Sequence, residues 1–331
     1  MKILCVGGCV FDILVVSDKL PILNLDNKRY FGIEYGSKIP GSEFIANEGG
    51  SATNVALNLN LLGLDSALLA TIGDDFLGNY IYNKIKSSGL DTRGIIRVNN
   101  SHTGTAFIVK SKELNDRGMI TVKGASDLLN KNQIDKEFVK EFDYLVWCSL
   151  TSQSAIEAIE GLIDIFKSKG SSKIIAAPSS SIIRKYPKKC LKLVKKSKIY
   201  ASNLEEASSI IGNEDIDWIQ CVKKFLNLGL EFISITKGKE GAIIGNKNKL
   251  IKIIPPKISI IDTTGVGDAF LAGVIYGLIE EKTLETTGKL ATIMAMCVLK
   301  QYGTRKGFPS INKVLNLINE LGSKIKIKKV E

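Results

Sequence analysis

The sequence predicts an α/β fold: a doubly wound, mostly parallel sheet flanked by helices, with a small β-sheet lid. Three observations predict it. Short apolar runs alternate with amphipathic segments of helix length almost from end to end, the pattern of βαβ units. Two stretches, 13–48 and 101–124, break that alternation with extra strand-like runs such as Thr105 to Val109 and Met119 to Val122. The chain also has 331 residues, 44% of them hydrophobic and 24% charged, which suits a folded protein of one large domain or two ordinary ones.

In chain order, the predicted strands are Ile3 to Gly7, Ala67 to Ile72, Tyr144 to Cys148, Lys173 to Ala177, Lys198 to Ala201, Phe232 to Thr236 and Ile258 to Ile261. Helices are predicted at Ser51 to Leu62, Asn79 to Ser88, Gln153 to Ser168, Leu204 to Ile211 and Trp218 to Leu228, from apolar residues at three- and four-residue spacing, and an apolar helix at Ala269 to Ile279. This gives one α/β domain over 1–12, 49–100 and 125–331, with 13–48 and 101–124 as the inserted β lid. Ligands of a doubly wound sheet sit beyond the carboxyl ends of its strands, where inserted strands are placed to cover them.

Composition excludes several functions. The single histidine, His102, rules out a His-based zinc site and any multi-histidine chemistry. The six cysteines are scattered without a C-x-x-C pair and read as reduced small hydrophobes, which fits a cytoplasmic protein. No basic leader segment and no apolar run of about 18 residues is present, so neither secretion nor a membrane partner is expected. The net charge of +11 favours phosphorylated ligands or polyanions. Its excess lysines, at 185–198 and in the tail at 324–329, lack interleaved aromatics, so they read as solvated faces and no nucleic-acid partner is expected.

The strongest local signal is Asp262-Thr263-Thr264-Gly265-Val266-Gly267-Asp268, between the Ile258 to Ile261 run and an apolar helix. Glycines there let successive N–H groups converge at a helix N-terminus, a site for a phosphate or a developing phosphoryl anion. Asp268 would stay ionised in that field and could accept a proton; the alternative is a tight turn with Asp268 as an ordinary N-cap. The second signal, Gly49-Gly50-Ser51-Ala52-Thr53-Asn54, opens a helix with a donor and acceptor, Asn54, in its first turn. No Walker A sequence occurs, and Gly7-Gly8-Cys9-Val10-Phe11-Asp12 does not spell G-x-G-x-x-G, which argues against a nicotinamide-dependent oxidoreductase.

These motifs, in this order and spacing, resemble the ribokinase (PfkB) family of carbohydrate and nucleoside kinases over nearly the whole chain. Gly49 to Gly63 looks like the first family signature and Asp262 to Gly273 like the second; Ile72-Gly73-Asp74-Asp75 with Gly78, and the Gly124-Ala125 turn, are supporting matches. The resemblance implies a kinase that transfers the γ-phosphoryl group of ATP to a hydroxyl of a sugar or nucleoside. Asp268 would be its general base, and the Gly265, Val266 and Gly267 amides the anion hole. Asp12, at the carboxyl end of the first strand, would grip substrate hydroxyls with Gly49, Gly50 and Asn54. Asn203, Thr236, Gly238, Gly241 and Thr264 would contact the nucleotide, and Glu206 would hold magnesium through water. Asp262, with Thr264 and carbonyls near Gly303, would hold a potassium ion, and a homodimer would form through the lid. From the residues alone, Asn203 with Glu206 is also a capping box, and Thr236 to Gly241 also reads as a hairpin turn.

The sequence departs from the family at Ala176-Ala177-Pro178-Ser179-Ser180-Ser181, where many of its sugar kinases carry an Asp-Pro-Asn-type segment. That loss leaves sugar and nucleoside acceptors both open. A catalytically silent sugar-binding sensor is the alternative of a different class.

Overall fold

The computed structural model describes residues 1–26, 28–112, 117–170, 173–303 and 307–330. Its strands are β1 (Lys2–Val6), β2 (Val10–Ser17), β3 (Ile22–Leu25), β4 (Lys28–Phe31), β5 (Glu43–Gly49), β6 (Asp65–Gly73), β7 (Ile95–Val98), β8 (Thr105–Ser111), β9 (Arg117–Val122), β10 (Tyr144–Cys148), β11 (Ile174–Ala177), β12 (Ile199–Asn203), β13 (Phe232–Thr236), β14 (Ala242–Gly245), β15 (Leu250–Ile254) and β16 (Lys326–Val330). Ten of them form one sheet in the order β16-β15-β14-β13-β12-β11-β10-β1-β6-β7. The seven from β13 to β7 run parallel, and β14, β15 and β16 close the edge antiparallel. Continuous apolar runs such as Tyr144–Cys148 sit in its middle, because both faces of a parallel sheet are covered.

Helices cover the two faces. One side carries α1 (Ser51–Leu61), α2 (Phe76–Ser87), α9 (Val266–Ile279), α10 (Leu284–Leu299) and α11 (Ile311–Leu321); the other carries α3 (Lys136–Lys140), α4 (Gln153–Ser168), α5 (Ser180–Lys185), α6 (Pro187–Lys196), α7 (Leu204–Ile211) and α8 (Trp218–Asn227). Each side has its own apolar cluster. The lysines of α6 point outward around Cys190, Leu193 and Val194; Lys192 and Lys196 meet Glu160 of α4 at 3.0 and 2.9 Å.

A second, four-stranded sheet has the order β5-β2-β8-β9, and β3 and β4 form a separate hairpin. One face of this sheet packs Leu14, Val16, Ala106 and Ile108 against Ile45 and Tyr302. Two expectations are corrected and one is extended. Ile258 to Ile261 is not a strand: the segment has no regular secondary structure, and its last residue donates its amide to the Leu299 carbonyl at 2.7 Å. The lysine-rich tail keeps its lysines exposed as expected, but it also forms an unanticipated strand, β16, in which Lys326, Lys328 and Lys329 keep the sheet edge charged. Asp12 lies not at the end of the first strand but on β2 of the smaller sheet, because the chain turns at Gly7-Gly8 and starts a new strand at Val10. Residues 113–116 of the expected lid lie outside the described residues.

Candidate active site

The Asp262 loop is fixed from beneath. Asp262 is buried; its Oδ1 accepts the Thr264 amide (3.2 Å) and hydroxyl (2.9 Å), and its Oδ2 accepts the Gly303 amide at 2.9 Å. Gly265, in the left-handed region at φ 76°, then turns the chain into α9. No side chain caps this helix, so the Val266, Gly267 and Asp268 amides stand at its N-terminus without intrahelical acceptors. A methyl group on Gly267 would meet nothing within 4 Å, which leaves room for a ligand over those amides. The arrangement is an anion cradle backed by the dipole of a fourteen-residue helix.

Asp268 is not the N-cap of α9. It is the third residue of the helix, and its Oδ2 accepts from Asn54 Nδ2 at 2.8 Å; the Ser51 hydroxyl also bonds it. Asn54 is held in turn by α1, where its amide donates to the Gly50 carbonyl at 2.8 Å. Its buried Oδ1 has no partner among the described residues, leaving an acceptor for a bound hydroxyl. Burial raises the Asp268 carboxyl to about 6, against the bonds from Asn54 and Ser51 and with a small push from Glu206. Desolvation thus outweighs the two hydrogen bonds to Asp268.

Asp12 faces the same space. On β2 it stands opposite Asn47 of β5, and its carboxylate occupies the volume that a side chain on Gly49 would fill. Burial and then the charge of Asp268 raise it to about 7, while Arg117 pulls it down. Arg117, at the start of β9, also donates from Nη1 to Thr263 Oγ1 at 2.7 Å, joining the smaller sheet to the anion loop. Sequence reasoning placed no role on Thr263, since the Arg117 contact depends on how the smaller sheet folds over the larger one.

The expected nucleotide residues gather elsewhere along the same strand ends. Asn203 and Thr236 are adjacent in the β12–β13 register. Asn203 and Glu206 do form a capping box, with the Glu206 amide donating to Asn203 Oδ1 at 2.8 Å and the Asn203 amide donating to Glu206 Oε2 at 3.2 Å. Glu206 Oε1 accepts the Ser180 amide at 2.9 Å, and burial raises its carboxyl above the usual range. Each oxygen thus keeps a lone pair free of protein bonds in the described contacts, which fits a hydrated magnesium ion met through water. Gly238 and Gly241 lie in the β13–β14 hairpin, where the Lys237 amide donates to the Gly241 carbonyl at 2.7 Å. Gly241 (φ 96°) also presses on the Ile253 carbonyl of β15, so the turn alone demands a glycine there. Where the family's acid and amide are missing, Ser179 donates its amide (2.6 Å) and hydroxyl (2.8 Å) to Ser149 Oγ at the end of β10. That serine pair was not legible in the sequence.

An anion cradle, a buried carboxylate beside it and a second carboxylate on the smaller sheet are chemically suited to phosphoryl transfer. The chain belongs to the pfkB family of carbohydrate kinases, whose model matches residues 2–311. It is a kinase, a phosphotransferase acting on an alcohol group. It is 28% identical over 328 residues to a ribokinase of Bacillus subtilis, covering 96% of this chain and 100% of that one. It is 25% identical over 316 residues to a nucleoside kinase of Methanothermobacter thermautotrophicus, covering 95% and 94%. Its fold matches an E. coli protein assigned as a ribokinase II and solved with ATP and magnesium, with a TM-score of 0.82 at 18% identity over 96% of this chain and 99% of that one. Kinases of this family use ATP with magnesium. Among the described residues no helix is long and apolar enough to cross a membrane.

Proposed function

We propose that this enzyme transfers the γ-phosphoryl group of ATP to a hydroxyl of a sugar or sugar-like acceptor, with Asp268 as the general base. The observation that carries the reading is the Asn54–Asp268 hydrogen bond: it sets the base at one edge of the open Val266 to Asp268 amides and ties it to the acceptor clamp. Asp12 and the free Asn54 oxygen accept from neighbouring acceptor hydroxyls; Asp268 takes the proton of the attacking one; the Gly265 to Gly267 backbone receives the anionic phosphoryl group. Asn203, Thr236, Gly238, Gly241 and Thr264 bind the nucleotide. Magnesium, when bound, neutralises and orients the donor's phosphates, and Glu206 meets it through water. A potassium ion at Asp262 belongs to the same reading: Asp262 accepts three bonds and keeps lone-pair capacity. An unchanged rate when potassium is replaced by a bulky organic cation would remove it. Part of the expected carbonyl set, after Gly303, lies outside the described residues.

ADP release measured across ribose, fructose, fructose 6-phosphate, 2-keto-3-deoxygluconate, adenosine, inosine and cytidine tests the reading. Turnover with none of them would sink it, and a chain that only sensed sugar would release no ADP. A nucleoside as the preferred acceptor would select the alternative substrate class. A specific observation favours an anionic acceptor: the Arg117 guanidinium bonds Thr263 of the anion loop and acts on the charge of Asp12, which puts a cation near an acceptor phosphate or carboxylate. Fructose 6-phosphate turned over no better than fructose, and 2-keto-3-deoxygluconate no better than ribose, would set that aside.

The raised carboxyls fix a pH dependence. Both must be ionised in the free enzyme, so kcat/KM for the acceptor should climb with pH through about 6 and about 7, more steeply than a single ionisation allows. In Asp12→Asn the upper step should vanish. In Asp268→Asn the upper step should move down, because the charge that raises Asp12 is gone. A profile flat from pH 5 to 8 would contradict these assignments.

The smaller sheet is read as a lid that also pairs two chains. Phe44, Phe107, Ile120 and Val122 share its outward face and are all exposed, an apolar patch that a second copy would cover. Light scattering at micromolar concentration should give the mass of two chains, and Phe107→Glu with Ile120→Glu the mass of one. The free cysteines, five of them buried, fit the expected cytoplasmic setting.

A further inference from the structure

Asp75 does more than cap a helix. Its Oδ1 accepts the Gly78 amide at 2.7 Å, the bond that starts α2. The same oxygen accepts the Thr103 hydroxyl at 2.6 Å, and Oδ2 accepts the Thr103 amide at 2.8 Å. Thr103 Oγ1 also accepts the Gly73 amide at 3.1 Å, so this hydroxyl, on a side chain 2% exposed, links the end of β6 to the start of α2. Capping requires only the first of these bonds.

Around Thr103 the backbone is packed without room for side chains. A methyl on Gly73 would lie 2.5 Å from the Thr103 amide and overlap the Ser101 carbonyl; one on Gly78 would overlap the Gly73 carbonyl. One on Gly104 would lie 2.6 Å from the Lys123 carbonyl, and one on Gly124 would overlap the His102 carbonyl. The chain thus enters β8 and leaves β9 through one knot anchored to the main sheet. His102, its side chain 96% exposed, brings Nδ1 only to 4.0 Å from Asp75 Oδ2, at the solvent side of the knot.

The knot reaches the acceptor carboxylate in two steps. The Gly104 carbonyl, one residue past Thr103, accepts the Phe11 amide at 2.7 Å, and Asp12 follows Phe11. The Phe11 ring also stands edge-on to Tyr80 of α2, with centroids 5.5 Å apart. We infer that Asp75 and Thr103 are positioning residues, a latch that fixes the angle of the smaller sheet on the larger and so sets Asp12 against Asp268. Its effect on catalysis rests on the proposed role of Asp12; its effect on the sheet does not. The latch also assigns a common purpose to two motifs far apart in the chain, Gly73-Asp74-Asp75 with Gly78 and the Gly124-Ala125 turn.

The test compares Thr103→Val, which keeps the shape and loses the hydroxyl, with Thr103→Ser, which keeps the hydroxyl. Kinetics use whichever of ribose, fructose 6-phosphate, adenosine and inosine the wild type turns over. Thr103→Val should lower kcat/KM for that acceptor about 10- to 100-fold, as expected for a misplaced binding group, while the KM for ATP, bound by the main sheet, stays within about twofold. Thr103→Ser should recover most of the loss. Independently of turnover, hydrogen exchange of amides in 105–111 and 117–122 should speed up at least about tenfold in Thr103→Val, which loses the hydroxyl's bonds to Asp75 and Gly73, with 144–148 unchanged. A serine variant as impaired as the valine, acceptor and ATP parameters moving together, or unchanged exchange would each overturn the latch. If the wild type turns over none of these acceptors, the proposed function fails, and exchange still decides the latch.

Discussion

Asp268→Asn is expected to lower kcat by about 10²- to 10⁴-fold, the usual worth of a general base, while ATP and acceptor still bind. Asparagine keeps the size of the side chain and can still accept the Asn54 amide through its oxygen, so the link to α1 survives. What it loses is the charge that takes the proton. The low end of the range is the physically favoured one, because phosphoryl transfer proceeds through a loose transition state in which the attacking hydroxyl has formed little bond. The remaining rate then belongs to the open amides of Val266 and its neighbours and to positioning. Single-turnover ADP release checks this. More than about a tenth of wild-type kcat, with ATP correctly bound, is incompatible with a principal general-base role on those magnitudes, and the loop would be demoted to a phosphate cradle.

The two glycines of that loop do different work. A bulkier residue at Gly267 would not displace the amides, since a methyl there meets no protein atom within 4 Å. Its harm would come from filling the ligand's space. Gly265 is the glycine that the backbone requires, at φ 76°.

Much of the main sheet was legible because its strands are buried on both faces and read as unbroken apolar runs: Tyr144–Cys148 and Phe232–Thr236 match their predicted limits, as do helices Gln153–Ser168 and Leu204–Ile211 with their Ser152 and Asn203 caps. Apolar content alone misled at Ile258 to Ile261, where no strand partner is present for those residues among the described ones. The antiparallel edge was missed for the opposite reason. β14 is only four residues long, and the alternating lysine and isoleucine of β16 looked like charge rather than a half-covered strand. In the site, the residues carried by glycine motifs could be read one by one. Their relations could not: that Asn54 bonds Asp268, 214 positions away, or that Arg117 reaches Thr263, is a property of how two sheets meet. Asp12 shows the cost of that gap. Its type suggested its chemistry, but the strand it stands on was set by the turn at Gly7-Gly8.

Gly49→Ala should lower kcat/KM for the acceptor about 100-fold, the scale of an ångström-sized misplacement at a reacting centre, with little change in stability. The new methyl would overlap the Asp12 carboxylate oxygen and no backbone atom at that distance. A side-chain end can swing away at small cost, so the fold tolerates the change while the carboxylate leaves its station against the acceptor. Gly50→Ala, one residue on, should behave in the reverse way. Gly50 sits at φ 96° and ψ 138°, a region essentially reserved for glycine, and a methyl there would overlap the Gly8 carbonyl, which is backbone. Strain of that kind costs about 1–3 kcal/mol, and the overlap adds to it. The two variants therefore separate binding geometry from folding at adjacent positions: Gly49→Ala should melt near the wild type with the acceptor parameter ruined, and Gly50→Ala should melt several degrees lower. Should Gly49→Ala keep wild-type acceptor kinetics, Asp12 does not grip the acceptor from its place on β2, and the clamp must be sought among Asn54 and the residues around Arg117.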